Sequence, residues 1–65
     1  MLLNKRKLIN EMAKHGFNST DLAKASNLSD ATICLLLKNK SFGSCRTLGK
    51  VAKALNVEPQ DLIQD

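Results

Sequence analysis

The chain has 65 residues, with ten Lys and Arg against six Asp and Glu, which gives a formal net charge of +4. A chain of this length supports a single domain, residues 1–65, and it buries only about 60% of its unfolded surface, so it depends on close packing. No apolar run approaches the ~20 residues that cross a bilayer, and the N-terminal MLLNKRKLI places its charges after the first apolar pair, the wrong order for a signal peptide. We therefore expect a cytoplasmic protein rather than a membrane protein. Its positive charge fits a polyanionic partner such as nucleic acid, and a solvated basic surface is the alternative.

Few residues of the chain could carry chemistry. Cys34 and Cys45 are the two cysteines and His15 is the single histidine, whereas a tetrahedral zinc site takes about four ligands. In a reducing cytosol we expect two free thiols that act as small packing residues rather than redox sensors, with a disulfide as the alternative. Because no nucleophile has a plausible base and no glycine loop could cradle a phosphate, the sequence predicts no enzyme, metal, cofactor or small-molecule ligand.

The first predicted helix follows Asn4, a suitable N-cap residue. Gly16 is expected to end the helix in the left-handed conformation, and His15 is expected to be a C-cap residue. An apolar stripe recurs at helical spacing between these ends, formed by Leu8, Ile9, Met12 and Ala13.

Three cations crowd the first turn of this helix, namely Lys5, Arg6 and Lys7. The helix dipole disfavours a positive charge there by about 0.3–1 kcal/mol for each residue. The three side chains are either phosphate contacts or a solvated positive end, and the sequence favours the second interpretation.

Two short helices joined by a tight turn are predicted at about residues 18–38. Asn18 can cap the first helix in a capping box with Asp21. Asn27 tolerates the left-handed backbone of a turn, and Ser29 can cap the second helix. Leu22 and Ala23 lie on the first helix, and apolar residues bury the junction, namely Leu28, Ile33 and Leu36. This is the helix-turn-helix pattern, whose second helix lies in the major groove of DNA.

A loop at residues 39–43 separates this motif from a fourth helix, which Ser44 can cap. Asn56 stands where a left-handed C′ residue belongs, and Pro59 can open a last short helix. The apolar face of the fourth helix consists of Leu48, Val51, Ala52 and Leu55. Since no segment alternates as a strand would, we predict an all-α fold of five helices with no sheet.

Three stretches of the chain resemble the phage repressor and Cro type of helix-turn-helix domain, also called the xenobiotic-response-element type. They are NSTDLAKASNLSDATICLLLKNK from Asn18, TLGKVAKAL from Thr47 and ALNVEPQDLI from Ala54, in which Asn56 replaces the family's usual glycine. The resemblance runs from about residue 4 to residue 63 and implies a compact five-helix lambda-repressor-like bundle. It also implies a transcription regulator, which composition and spacing do not establish by themselves.

In that family two regions hold the DNA backbone. The first is the amino end of the second helix, which here contains Asn18, Ser19 and Thr20. The second is the loop after the recognition helix with the start of the fourth helix, which here contains Lys38, Lys40, Ser44 and Arg46. An arginine at the position of Arg46 can reach the minor groove in phage repressors. Three further lysines are expected to face solvent, namely Lys24, Lys50 and Lys53.

Base contacts are expected from the outward face of the third helix. Periodicity turns Ile33 and Leu36 inward. It leaves Ser29, Asp30, Ala31 and Leu35 facing out, with Thr32 and Cys34 at the margins. Members of the family often carry Gln, Arg, Asn or Ser here, so the acid, the methyl group and the leucine of this chain depart from the pattern.

The leading hypothesis is a Cro-like or small-repressor-like regulator that binds double-stranded DNA at a palindromic operator. We expect a monomer or weak homodimer that DNA strengthens, with self-association through Asn56, Val57 and Glu58, in the region that the family uses. The alternative is a protein-interaction module on the same scaffold, such as an anti-repressor or antitoxin-like partner, with weak or no operator reading. A fragment of a larger regulator is a third possibility, which Met1 and the full helix set disfavour.

One core position also departs from the family. Related repressors often hold a buried Arg–Glu pair between the first and third helices. At the matching positions this chain has Met12 and Leu37. We expect these side chains to touch, because apolar packing can replace a buried ion pair without loss of stability.

Overall fold

The computed structural model describes residues 2–64, so Met1 and Asp65, the ends of the expected domain, lie outside the described residues. Four α-helices form most of the structure: α1 (Lys5–His15), α2 (Ser19–Ser26), α3 (Asp30–Asn39) and α4 (Cys45–Leu55). A 3-10 helix (Pro59–Leu62) follows α4. Two strands of two residues each, β1 (Leu2–Leu3) and β2 (Ile63–Gln64), stand at the two ends of the described chain.

Each α-helix begins at a residue whose side chain accepts a hydrogen bond from the first turn. Asn4 accepts from the Lys7 amide, Ser29 from Thr32 and Ser44 from Thr47. Asn18 forms the full capping box with Asp21 that the sequence predicts. These bonds satisfy amide groups that have no partner inside the helix, so short helices form at defined positions.

The helices end where the chain enters the left-handed region. Gly16 has φ 70°, Asn27 φ 59° and Asn56 φ 56°, as their residue types predict. Lys40, which ends α3, also has φ 54°. A lysine is an unusual residue there, because its Cβ is crowded in that conformation.

The fold is mostly helical, as predicted, but the prediction of no sheet was wrong. β1 pairs with β2 in antiparallel register, with Leu2 opposite Gln64 and Leu3 opposite Ile63. On its other side β1 contacts the α3–α4 loop, through a bridge between Leu2 and Ser41. The fifth helix is of the 3-10 type, so the count of five α-helices is not confirmed.

The core lies where the four α-helices and the 3-10 helix meet. The predicted inward residues of α3 and α4 are buried, as are Leu22 and Ala23 of α2. The stripe predicted for α1 was wrong in two members, since Ile9 is 50% exposed and Ala13 is also exposed. Phe42, which the sequence assigned to a loop, is buried in the core. The full buried apolar set is Leu3, Leu8, Met12, Leu22, Ala23, Ile33, Leu36, Phe42, Leu48, Val51, Ala52, Leu55 and Leu62.

Glu11 occupies an inward position on α1 although its side chain is charged, and it is only 5% exposed. Its Oε2 lies 3.2 Å from Lys7 Nζ and 3.4 Å from Lys14 Nζ, so one carboxylate bridges two lysines on the same helix. The hydrogen bond from Lys7 lowers the pKa of Glu11, and the bond from Lys14 and the charges of both lysines act in the same direction, against the opposing effect of desolvation.

Replacement of Glu11 by Gln is expected to reduce the acid sensitivity of the fold. Because the pKa of Glu11 is lower in the folded chain than its ordinary value of 4.5, its contribution is present above that pH and is lost as the pH falls through the folded value. The free energy of unfolding of the wild type should therefore fall more steeply below about pH 5 than that of Glu11→Gln. Denaturant titrations at pH 3 to 7, with Glu58→Gln as a control at an exposed position, measure this; parallel curves for the wild type and Glu11→Gln would contradict it.

Candidate nucleic-acid interface

The turn between α2 and α3 fixes the angle between the two helices. The amide of Leu28 donates to the Ala23 carbonyl at 2.8 Å, and the amide of Asn27 donates to Lys24 at 3.2 Å. Ser26 is buried, and its hydroxyl donates to the Leu22 carbonyl at 2.6 Å. Ala23 is only 2% exposed, so its methyl group lies within the packed core. The chain therefore has the helix-turn-helix geometry that presents α3 to solvent on one side.

Four of the five candidate base-reading residues are exposed, namely Ser29 at the N-cap and Asp30, Ala31 and Leu35 on the outer face of α3. Asp30 and Ala31 are exposed in the first turn. Leu35 follows one turn later and is 57% exposed, which is unusual for a side chain of its size in so small a core. Ile33 and Leu36 lie on the opposite face and are buried, so the predicted division of this helix into inner and outer faces is confirmed.

Ser29, the N-cap of α3, and Thr32, which is half-buried, are hydrogen-bonded to each other. Ser29 Oγ accepts from the Thr32 amide at 3.1 Å and lies 2.8 Å from Thr32 Oγ1. These bonds cap the helix and use donors and acceptors that a base edge would need. The sequence placed both residues near the outer face but could not show that they pair.

The amino end of α2 offers backbone amides rather than free side chains. Asn18 Oδ1 accepts from the Asp21 amide at 2.8 Å, so the carbonyl of its carboxamide is used in capping. Ser19 is half-buried and Thr20 is exposed. The amides of Ser19 and Thr20 lie in the first turn, where an α-helix has no carbonyl partner for them, and can donate to an anion.

The second expected backbone region spans the α3–α4 loop. Lys38 and Lys40 are exposed at the end of α3, and Arg46 is exposed in the first turn of α4. Ser44 is the N-cap of α4, and its Oγ accepts from the Thr47 amide at 3.3 Å. The three cations can reach solvent, whereas the Ser44 hydroxyl is already hydrogen-bonded.

An open groove beside α3 was not foreseen from the sequence. It runs from the outer face of α3 to the loop, and its lining consists of Thr32, Leu35, Leu36, Asn39, Ser41, Phe42 and Gly43. The one signal for it was Phe42, because an aromatic side chain among small loop residues indicates a loop that packs on the core.

The sequence predicts structural roles outside the interface for His15, the two cysteines and the Met12–Leu37 pair. His15 ends α1, but its Nε2 lies 2.8 Å from the carbonyl of Leu55, so it donates to the end of α4 rather than to its own helix. Cys34 and Cys45 are free and exposed, so the prediction that they are packing residues was wrong. Met12 belongs to the core and Leu37 packs against it, and a direct contact between the two stays a prediction.

The region expected to mediate self-association lies directly after α4. Asn56 and Glu58 are exposed, and Val57 is partly buried against the core. Within residues 2–64 no helix is both long and apolar enough to span a bilayer. No group of three or more His, Cys, Asp or Glu in the same residues could hold a metal ion.

Comparison with known proteins identifies the family. The family model described as the Cro/C1-type HTH DNA-binding domain matches residues 7–65. No curated protein and no solved structure matches the chain. The matched span includes all of α2, the turn and α3, together with α4 and nearly all of α1. The chain therefore belongs to the Cro/C1-type helix-turn-helix family of DNA-binding domains, which serve in transcription regulation.

Proposed function

We propose that the protein is a Cro-like or small-repressor-like regulator that occupies a DNA operator with α3 in the major groove. The observation that carries this proposal is the exposed outer face of α3 in a chain of the Cro/C1-type family. The second helix of a helix-turn-helix lies in the major groove with its amino-terminal residues near the base edges. Asp30 and Ala31 occupy that end of α3.

Most of the affinity is assigned to the DNA backbone. Amides at the start of α2 would hold one phosphate, and Lys38, Lys40 and Arg46 would contact phosphates beyond the other end of α3. Such contacts position a protein on the duplex and make its affinity depend on salt, but they do not distinguish base sequences.

Base reading is assigned mainly to apolar contacts. Ala31 and Leu35 can offer only hydrocarbon, and the thymine methyl group is the apolar group of the major groove. Asp30 can accept a hydrogen bond from the exocyclic amine of cytosine. Because Ser29 and Thr32 bond each other, we expect them to discriminate weakly. DNA shape near the operator centre would supply the remaining specificity.

Replacing contacted thymines by uracil is expected to weaken operator binding by about 1 kcal/mol or more, because it removes only the methyl groups. Leu35→Ala should weaken binding to the thymine operator and should reduce the loss caused by the uracil replacement, while the methyl contacts assigned to Ala31 remain. Ile9→Ala is the matched control, since it truncates another exposed apolar side chain on a different helix. Additive effects of Leu35→Ala and uracil, measured by fluorescence anisotropy, would show that Leu35 does not contact the methyl groups.

We also propose that two copies bind a palindromic operator. Half-sites of phage repressors lie about 34 Å apart, one helical turn, and the same two-fold arrangement is expected here. The free protein would be a monomer or weak dimer that associates through Asn56, Val57 and Glu58 once both copies are on DNA.

Selection of bound sites from random duplex DNA at a stated salt concentration tests the function. Enrichment of a palindrome is the expected result, and enrichment of a single half-site would contradict dimeric binding. No enrichment would overturn operator reading and favour the alternative, a protein-interaction module such as an anti-repressor or antitoxin-like partner. The observation that favours this alternative is that the outer face of α3 has few groups that could hydrogen-bond to bases. Two of them, the hydroxyls of Ser29 and Thr32, are already hydrogen-bonded to each other.

A further inference from the structure

Three cations from two distant parts of the sequence meet at one open pocket. Lys5 and Arg6 come from the first turn of α1, and Lys40 comes from the end of α3. The other residues that line the pocket are Leu3, Asn4 and Gln64, none of which carries an acidic side chain. We call Lys5, Arg6 and Lys40 the basic patch.

The pairing of the chain ends brings these residues together. The amide of Leu3 donates to the carbonyl of Lys40 at 2.8 Å, and Leu2 forms a bridge with Ser41. The amide of Asn4 donates to Leu62 at 2.8 Å, which holds the start of α1 against the end of the chain. The position of the patch is thus set by backbone hydrogen bonds.

Each cation of the patch occupies a position where the local backbone or the helix dipole disfavours its residue type. Lys5 and Arg6 lie at the positive end of the α1 dipole, and the first turn of α1 contains no acidic residue. The ion pairs found among residues 2–64 both go to Glu11, from Lys7 and Lys14, and involve neither Lys5 nor Arg6.

Lys40 adopts the left-handed conformation that favours glycine. Sequences break local rules mainly at functional sites, so the convergence of three such residues on one pocket indicates a function for their charge.

We propose that the basic patch binds the phosphate backbone of DNA and extends the interface from α3 and α4 to the start of α1. This inference rests on the proposed function. Lys40 already belongs to the expected backbone contacts, so the patch continues that surface. The base-reading end of α3 is its amino end, and the other end, which adjoins Lys40, is about 15 Å away. With the amino end in the major groove, this other end and the patch beside it would face a backbone strand.

An Arg guanidinium suits phosphate oxygens because it can donate two parallel hydrogen bonds.

The test compares two double variants that each remove two positive charges. Lys5→Gln/Arg6→Gln removes two members of the patch, and Lys24→Gln/Lys53→Gln removes two exposed lysines of α2 and α4 that no proposed contact uses. Binding to the selected operator and to a random duplex is measured between 50 and 300 mM salt. We expect Lys5→Gln/Arg6→Gln to bind both duplexes at least tenfold more weakly near 0.1 M salt and to lose about two units of salt slope. The control should keep nearly all of the slope.

A second variant separates binding from folding. Lys40→Gly removes the one charge that the patch shares with the proposed backbone contacts but relieves the left-handed backbone, so its melting temperature should equal or exceed that of the wild type while its affinity falls severalfold near 0.1 M salt. If the wild type binds DNA and Lys5→Gln/Arg6→Gln keeps its salt slope, or loses no more of it than the control, the start of α1 is not a DNA contact, the inference fails and the proposed function stands. If the wild type itself shows no salt-dependent binding to either duplex, the proposed function fails and the inference fails with it.

Discussion

Arg46→Ala is expected to weaken binding to every DNA duplex about tenfold near 0.1 M salt and to reduce the salt slope by about one unit. Arg46 is exposed in the first turn of α4, across the α3–α4 loop from Lys38 and Lys40 at the end of α3. The loss should be largest for this residue, because the family resemblance lets an arginine here reach the minor groove near the operator centre.

Titrations of the operator and of a random duplex at several salt concentrations measure this effect. Lys53→Ala is the matched control, since it removes one positive charge from an exposed position of the same helix. An Arg46→Ala protein with the affinity and the salt slope of the wild type would show that Arg46 does not contact DNA.

Met12→Ala is expected to lower the free energy of unfolding by about 2–4 kcal/mol, because it leaves a cavity in a closely packed core. Met12 is 8% exposed and belongs to the single core cluster. A domain of this size has only about 3–10 kcal/mol of stability, so the variant should be largely unfolded at temperatures that the wild type tolerates.

Denaturant unfolding of the wild type and four variants checks this loss and the expected contact with Leu37. Ile9→Ala on the exposed side of α1 serves as the control and should change stability by less than about 0.5 kcal/mol. A double-mutant cycle of Met12→Ala with Leu37→Ala should give a coupling of at least ~0.5 kcal/mol if the two side chains touch. A loss below that value for Met12→Ala would mean that the core does not depend on this residue.

The helix boundaries could be predicted because their causes are local. Asn4, Asn18, Ser29 and Ser44 each accept from an amide three residues further along the chain. Residue type and spacing alone predict such bonds. The left-handed ends at Gly16, Asn27 and Asn56 follow from residue type as well.

The sheet and the inward face of α1 could not be predicted because their causes are not local. A strand of two residues is too short to show alternation, and the pairing of Leu3 with Ile63 joins opposite ends of the chain. Glu11 is a charged residue at an inward position, which hydropathy excludes. It is tolerated because Lys7 and Lys14 lie one turn away on either side and neutralise it.

In the candidate site, too, features with local causes could be predicted and features that depend on packing could not. The exposure of Asp30, Ala31 and Leu35 follows from helical periodicity, which the sequence contains. The hydrogen bond between Ser29 and Thr32 depends on rotamers, which the sequence does not contain. The basic patch depends on the packing of β1 and β2 against the α3–α4 loop. The sequence does not contain this packing, and it therefore predicts only a solvated positive end for Lys5 and Arg6 in the first turn of α1.

The amide chemical shifts of the labelled protein, followed by NMR during titration with the selected operator duplex, test the proposed interface most directly. The largest changes are expected at Ser19 and Thr20, along the outer face of α3, and in the loop from residue 39 to residue 43. Ala13 and Lys24 lie on exposed surfaces outside the proposed contacts and should change little. If the largest changes appear at these two positions while α3 is unaffected, α3 is not the DNA-binding element of this protein.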